Sequence, residues 1–165
     1  MDDETVTAIC AVIIALSALV VSIWEGIQNR KHNRLSVRPH LRIDRSTYVG
    51  SPAKITIGNN GLGTAIVQSF TVHCDGNRVT ADDVPLAVAA VKRLGLTGPF
   101  DTYTPEAGDS LAINESKDLL AIPNFPDDAN KRKDLRRELK RIYFEVHYQS
   151  VYGESFSTKR TGSSA

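Results

Sequence analysis

"TIGNNGLGTAIV", Thr56 to Val67, places three glycines within six residues and decides between two kinds of domain. Read as a phosphate cradle it would mark an α/β fold; read as a chain reversal it marks a β fold. A dinucleotide fingerprint needs G-x-G-x-x-G opening a helix, and a P-loop needs Lys-Ser/Thr after its last glycine. Here Gly58, Gly61 and Gly63 stand in the order G-x-x-G-x-G, and "TAIVQSFTV" follows, β-branched and alternating. Such a continuation leads into a strand and offers an anion no helix N-terminus. The stretch therefore reads as a reversal between two strands, with Asn59, Asn60, Gly61 and Gly63 supplying positive φ at little steric cost.

Outward from that turn the same two-residue period recurs. "VRPHLRID" sets Val37, Pro39, Leu41 and Ile43 against Arg38, His40, Arg42 and Asp44, the pattern of a half-buried strand. "AKITIG" offers Ile55 and Ile57, "TAIVQSFTVHCDG" offers Ile66, Phe70 and Val72, and "RIYFEVHYQS" offers Ile142, Phe144, Val146 and Tyr148. Turn signals at Asn60-Gly61, Asp75-Gly76, Ala107-Gly108-Asp109 and Tyr152-Gly153 separate these runs. Asn60, Gly61, Gly63 and Gly153 are thus expected as structural turn residues. Short strands punctuated in this way predict an antiparallel sandwich. Two helices interrupt it. Asp82 or Asp83 is expected to cap "VPLAVAAVKRLG", with Val84, Val88, Val91 and Leu94 on one face and Gly95 as its stop. "DDANKRKDLRRELKR", residues 127–141, forms the other, polar almost all round apart from Ala129, Leu135 and Leu139.

Before the β domain lies "TVTAICAVIIALSALVVSIW", Thr5 to Trp24, without a charged residue. As a helix it spans about 30 Å, the thickness of a bilayer core. A cleaved secretory signal would need a basic leading region and a shorter apolar run, and a core helix of this length would carry a polar stripe. A transmembrane helix is the expectation. No Lys or Arg precedes the span, whereas Arg30, Lys31, Arg34 and Arg38 follow it, so the positive-inside rule puts the N-terminus outside and the C-terminal domain in the cytoplasm. Trp24, Arg30, Lys31 and Arg34 are the expected membrane-interface residues. Ala8, Ala11, Ala15, Ala18 and Ser22 fall on one stripe, a seam through which the helix would self-associate into a homo-oligomer or meet a partner helix. Helical character is expected to continue through Gln28–Leu35 until Pro39 ends it.

The remaining composition excludes more than it proposes. With 20 Lys+Arg against 19 Asp+Glu the net charge is +1, far from that of a dedicated nucleic-acid binder. Cys10 and Cys74 are too widely placed for a disulfide framework. Histidines 32, 40, 73 and 147 lack the spacing of a metal set, and His73 and Cys74, consecutive on a strand, point to opposite faces. No catalytic residue, metal or cofactor is assigned. The basic helix stands out, because Lys131, Arg132, Lys133, Arg136, Arg137 and Lys140 form a candidate polyanion contact for nucleic acid or anionic lipid. No aromatics interleave with these cations, which sets nucleic acid behind a protein partner.

The single N-terminal span, "NRLSVRPHLRI" after it, "GNNGLGTAIV" in a hairpin and the closing "EVHYQSVYGESF" together resemble uncharacterised bacterial single-pass membrane proteins with a small immunoglobulin-like β domain. The resemblance implies architecture and no catalytic residues. The expected organisation is an acidic N-terminus at 1–4, a transmembrane helix at 5–25, a basic juxtamembrane segment at 26–36, a mainly β, immunoglobulin-like antiparallel sandwich with two inserted helices at 37–160, and a disordered tail at 161–165. The expected function is that of a module on the inner face of the cytoplasmic membrane that binds a protein partner without catalysis. The alternative is polyanion binding through helix 127–141.

Overall fold

The computed structural model describes residues 2–48, 51–96, 98–123 and 128–159; the expected tail at 161–165 and Asp127 lie outside the described residues. Two compact units divide between Ser36 and Val37. The first is a single helix, α1 (Asp3–Ser36), with Asp3 and Glu4 in its first turn and Arg34 in its last, each sign matched to the helix dipole. Its most apolar window has a mean hydropathy of 2.8 and none of it is buried, so it is one helix long and apolar enough to cross a membrane. The Thr7 and Ser17 hydroxyls donate to the carbonyls of Asp3 and Ile13, which leaves these two polar groups satisfied within the helix.

The second unit runs β1 (Leu41–Ser46), β2 (Ala53–Asn59), β3 (Ala65–Cys74), β4 (Asn77–Arg78), α2 (Leu86–Arg93), β5 (Ser110–Leu111), β6 (Ser116–Ile122), α3 (Ala129–Leu139), β7 (Ile142–Gln149) and β8 (Ser155–Lys159). Its strands form two antiparallel sheets, β1-β2-β6 and β4-β3-β7-β8, with β5 added to the start of β3. Alternation drives the burial. Ala53, Ile55, Ile57 and Asn59 of β2 point inward, as do Ile142, Phe144, Val146 and Tyr148 of β7. Apart from Asn59, both sets join one hydrophobic cluster with Leu41, Val67, Val72 and Leu111. Each large apolar side chain buried there stabilises the fold by about 1.5–3 kcal/mol.

Two bulges shift the expected pattern. Val67 pairs with Tyr148 and Ser69 with His147, so Gln68 is an extra residue in β3. Ala65 and Val67 therefore face the core before it and Val72 and Cys74 after it, while Ile66, expected inside, is only half-buried. A similar step opposite Ile55 and Thr56 leaves Leu119 as the extra residue of β6, where Leu119 to Ile122 are all buried.

The glycine stretch also departs from expectation. β2 and β3 lie in different sheets, so "GNNGLG" is a crossover and not a hairpin. None of Asn59, Asn60, Gly61 and Gly63 is among the positive-φ residues of the described chain. Close approach requires the glycines instead. A β-carbon on Gly61 would lie 2.6 Å from the Arg38 carbonyl oxygen, and one on Gly63 would overlap the Val37 carbonyl. Asn59, fully buried, uses every hydrogen-bonding capacity of its amide: Oδ1 accepts from the backbone N–H of His40 (3.2 Å) and Gly61 (3.0 Å), and Nδ2 donates to the carbonyls of Gly63 (2.7 Å) and Leu111 (3.0 Å). Asn60 N–H to the His40 carbonyl and Leu62 N–H to the Arg38 carbonyl complete the strap. Val37–His40, expected as the opening of a strand, is thus a separate pinned segment, and β1 starts at Leu41, whose N–H donates to the Tyr148 hydroxyl of the other sheet.

Elsewhere the turns behave as their residues dictate. Asp75 and Gly76, both at positive φ, make the two-residue reversal between β3 and β4. Gly153, at φ +78°, turns β7 into β8 over the buried Ser150, whose hydroxyl accepts from Tyr152 and Glu154 N–H. α2 begins at an N-cap Pro85 without a side-chain cap, so neither Asp82 nor Asp83 caps it. It buries Ala87, Ala90 and Val91, with Leu94 packed beside them, and leaves Val84 and Val88 half-buried, because small side chains let the helix sit close to the sheet. Gly95, at φ +72°, ends it with Gly95 N–H bonded to Lys92 and Leu96 N–H to Val91. In the long connection after α2, Asp101 bridges to Ala121 and Tyr103 N–H to the Asp118 carbonyl of one sheet, while Gly108 and Asp109 bond Val67 of the other. The Tyr103 hydroxyl donates to Asp109 (2.7 Å), and burial first and that carboxylate second push the phenol up to about 12.

Asn59→Ala strips partners from four backbone groups, and at roughly 1–3 kcal/mol for each one left buried and unpaired it is expected to cost at least about 3 kcal/mol. Gly63→Ala is expected to cost about 1–3 kcal/mol by overpacking against Val37, whereas Asn60→Ala, at an exposed position, stays within about 0.5 kcal/mol of wild type. Urea unfolding of the full-length protein in detergent measures all three; an Asn59→Ala midpoint equal to wild type would contradict the assignment of the strap.

Candidate anion-binding face

The second unit has two ends. One carries Val37–His40, the crossover after Asn59, the start of β3 and the β7–β8 turn, all joined by the pairings of Leu41 with Asn59 and Ile66 with Gln149. We term it the proximal end. The distal end gathers Ser46, Ala53, Ile122, Cys74 and Ile142, and α3 lies there.

The sequence of α3 explains its placement. Asp128 is the N-cap, its carboxylate accepting from Asn130 N–H (2.8 Å) and Lys131 N–H (3.1 Å), and these backbone donors hold it below the usual carboxylate range. Leu139 is buried and Leu135 packs against the core. At the C-terminus the Arg45 guanidinium donates to the Leu139 carbonyl (2.6 Å), putting a cation where the helix dipole is negative. Arg141, just past the helix, clamps Asp75 with two bonds of 2.7 and 2.6 Å and also pairs with Glu138. That guanidinium holds the Asp75 carboxyl below its ordinary value, and its own pKa is raised in turn by the two carboxylates.

With one face docked, the other is cationic. Lys133, Arg136, Arg137 and Lys140 line a depression of about 680 Å³ together with Asn130 and Asp134. Arg136 donates to the Thr47 carbonyl (2.5 Å) and so is oriented without being neutralised. Among the described residues no carboxylate lies within ion-pair distance of Lys133, Arg136, Arg137 or Lys140. Of the six cations predicted for this surface, the structure gathers these four. Lys131 is exposed outside the depression, and Arg132 is half-buried, with Nη1 lacking a hydrogen-bond partner among the described residues.

The other predicted positions separate by unit. Trp24, Arg30, Lys31 and Arg34, like Ala8, Ala11, Ala15, Ala18 and Ser22, are exposed on α1. Cys74 is buried and raised in pKa chiefly by that burial, while His73 stacks on Tyr143 at 4.6 Å between ring centroids. Among the described residues no cluster of three His, Cys, Asp or Glu side chains could hold a metal ion. At the proximal end three loops expose apolar side chains, Leu62, Ile113, Val151 and Tyr152. Sequence reasoning passed over these, over Arg45 and Thr47, and over the pairing of the turn residue Asp75, because their partners in or beside α3 are distant in the chain. The exposed loop residues had a local signal, since each interrupts a polar turn. No protein-family model matches the chain, and the curated proteins contain no match to it.

Because the folded Asp75 carboxyl titrates below its unfolded value, its contribution is complete above the ordinary aspartate range and disappears as the pH falls through the folded value. Asp75→Asn is therefore expected to lower the unfolding midpoint at neutral pH and to converge with wild type in acid. Denaturation curves of both proteins across that range supply the check, a constant gap being the contrary result.

Proposed function

We propose that the protein is a single-pass protein of the cytoplasmic membrane, held by α1 with its N-terminus outside, whose cytoplasmic domain works by binding a protein partner and not by catalysis. The bilayer-length apolar run and the basic residues that follow it, Arg30, Lys31 and Arg34, support the anchorage and its direction. We read the domain as an immunoglobulin-like sandwich. In support, β1, β2 and β6 follow the order of strands A, B and E of that fold, and β4, β3, β7 and β8 that of C′, C, F and G. α2 then falls in the connection before E, and α3 in the one between E and F.

The observation that carries the binding role is the exposure of Leu62, Ile113, Val151 and Tyr152 on three loops of one end. Exposed apolar side chains gathered at one place mark contact surfaces in soluble domains. Anchorage then raises the partner's effective concentration with no further contact. A second reading, polyanion binding through α3, is favoured by the four cations there that have no ion-pair partner among the described residues.

In fractionated cells the full-length chain is expected with the membranes and to resist alkaline extraction. In a Cys10→Ala background, Ser157→Cys, on the exposed part of β8, should react with an impermeant maleimide only after the cytoplasmic membrane is opened, since the remaining Cys74 is buried. Labelling from outside intact spheroplasts would reverse the orientation. For the binding role, photo-crosslinkers at Leu62 and Val151 in intact membranes should capture one protein reproducibly, and failure at both positions counts against it.

A further inference from the structure

The cationic depression on α3 lies at the end of the domain opposite to Val37–His40, with the six residues of β1 between them, about 17–20 Å of strand. We infer that this face is a docking site for an acidic polypeptide segment of a soluble partner. The inference rests on the reading of the domain as a protein-binding module.

Three observations select this occupant. Lys133, Arg137 and Lys140 follow one another at spacings of four and three residues, a stripe about 10 Å long on a single helix face. Carboxylates on alternate residues of an extended segment repeat every ~7 Å, and those one helical turn apart every ~6 Å, so either form sets two acidic groups against the stripe. Second, the lining argues against a lipid surface as the ligand. Lys133, Arg136, Arg137 and Lys140 are accompanied there by Asn130 and Asp134 and by no apolar side chain that could enter a bilayer interface. Third, a nucleic acid lacks what it needs. The lining residues include no aromatic for base stacking, Asp134 within the face repels a continuous run of phosphates, and a net charge of +1 provides little long-range attraction. A short acidic peptide needs only local complementarity. Arg136, fixed by the Thr47 carbonyl, gives it one pre-oriented guanidinium among flexible lysines.

The test uses the full-length protein in nanodiscs of phosphatidylcholine and a fluorescein-labelled oligoglutamate peptide. Binding is expected to weaken with salt and to fall about tenfold or more in Lys133→Glu/Arg137→Glu/Lys140→Glu, while Lys92→Glu/Arg93→Glu, exposed on α2, leaves it unchanged. If the triple variant unfolds, Arg137→Ala alone should still weaken binding several-fold at unchanged thermal stability. The inference is overturned by no peptide binding, by binding indifferent to α3, or by α3-dependent preference for a DNA oligonucleotide or for phosphatidylserine vesicles over the peptide. Protein capture at Leu62 or Val151 without peptide binding at α3 removes this inference and leaves the binding-module reading standing. Absence of both removes the two together.

Discussion

A buried amide organises the β domain. Asn59 carries two donors and two acceptor sites on one side chain, and the fold presents two acceptors and two donors to it from three separate segments. A buried polar group left unpaired costs more than a made hydrogen bond returns, so this arrangement is stable only when all its members are present. Val37–His40, the crossover and β5 are therefore fixed jointly, with Gly61 and Gly63 clearing the space in which their backbones meet. The passage from one sheet to the other happens at this point, and the shared core of Ile55, Ile57, Val67 and Phe144 closes around it.

The other end is held by arginines beside α3. Arg45 donates to the Leu139 carbonyl, Arg136 to the Thr47 carbonyl, and Arg141 pairs with Asp75 and Glu138 while its own carbonyl accepts from Asp75 N–H. These arginines hold the helix to the sheets. Of the cations lining the depression, Arg136 is engaged by the Thr47 carbonyl, whereas Lys133, Arg137 and Lys140 have no ion-pair partner among the described residues. The candidate site is thus a consequence of one helix orientation, set by Leu135 and Leu139.

How far this could be read from the residues depends on the range of the interaction. Twenty uncharged positions need no tertiary knowledge to be recognised as a bilayer-length helix, and the alternation of β2 and β7 is visible within each run. The Asp75-Gly76 reversal is likewise a property of two residues. The glycine stretch misled because Gly serves both positive φ and close approach, and only the position of Val37–His40 distinguishes the two. Asp82 and Asp83 were plausible caps by type, yet α2 starts after Pro85. In α3 the stripe was legible from helical periodicity, but which cations stay unpaired follows from Thr47 and Asp75, 89 and 66 residues away from Arg136 and Arg141.

The supernumerary Gln68 has one more effect. A regular strand can slide along its neighbour by two positions and still show the same side to the interior, which is how sheets lose their alignment without losing their pattern. β3 cannot, because its halves are out of phase on either side of Gln68, and any slide would carry the phase break onto a partner built for continuous alternation. The irregularity thus acts as a detent between β3 and β7, admitting a single alignment of the two longest strands of the domain.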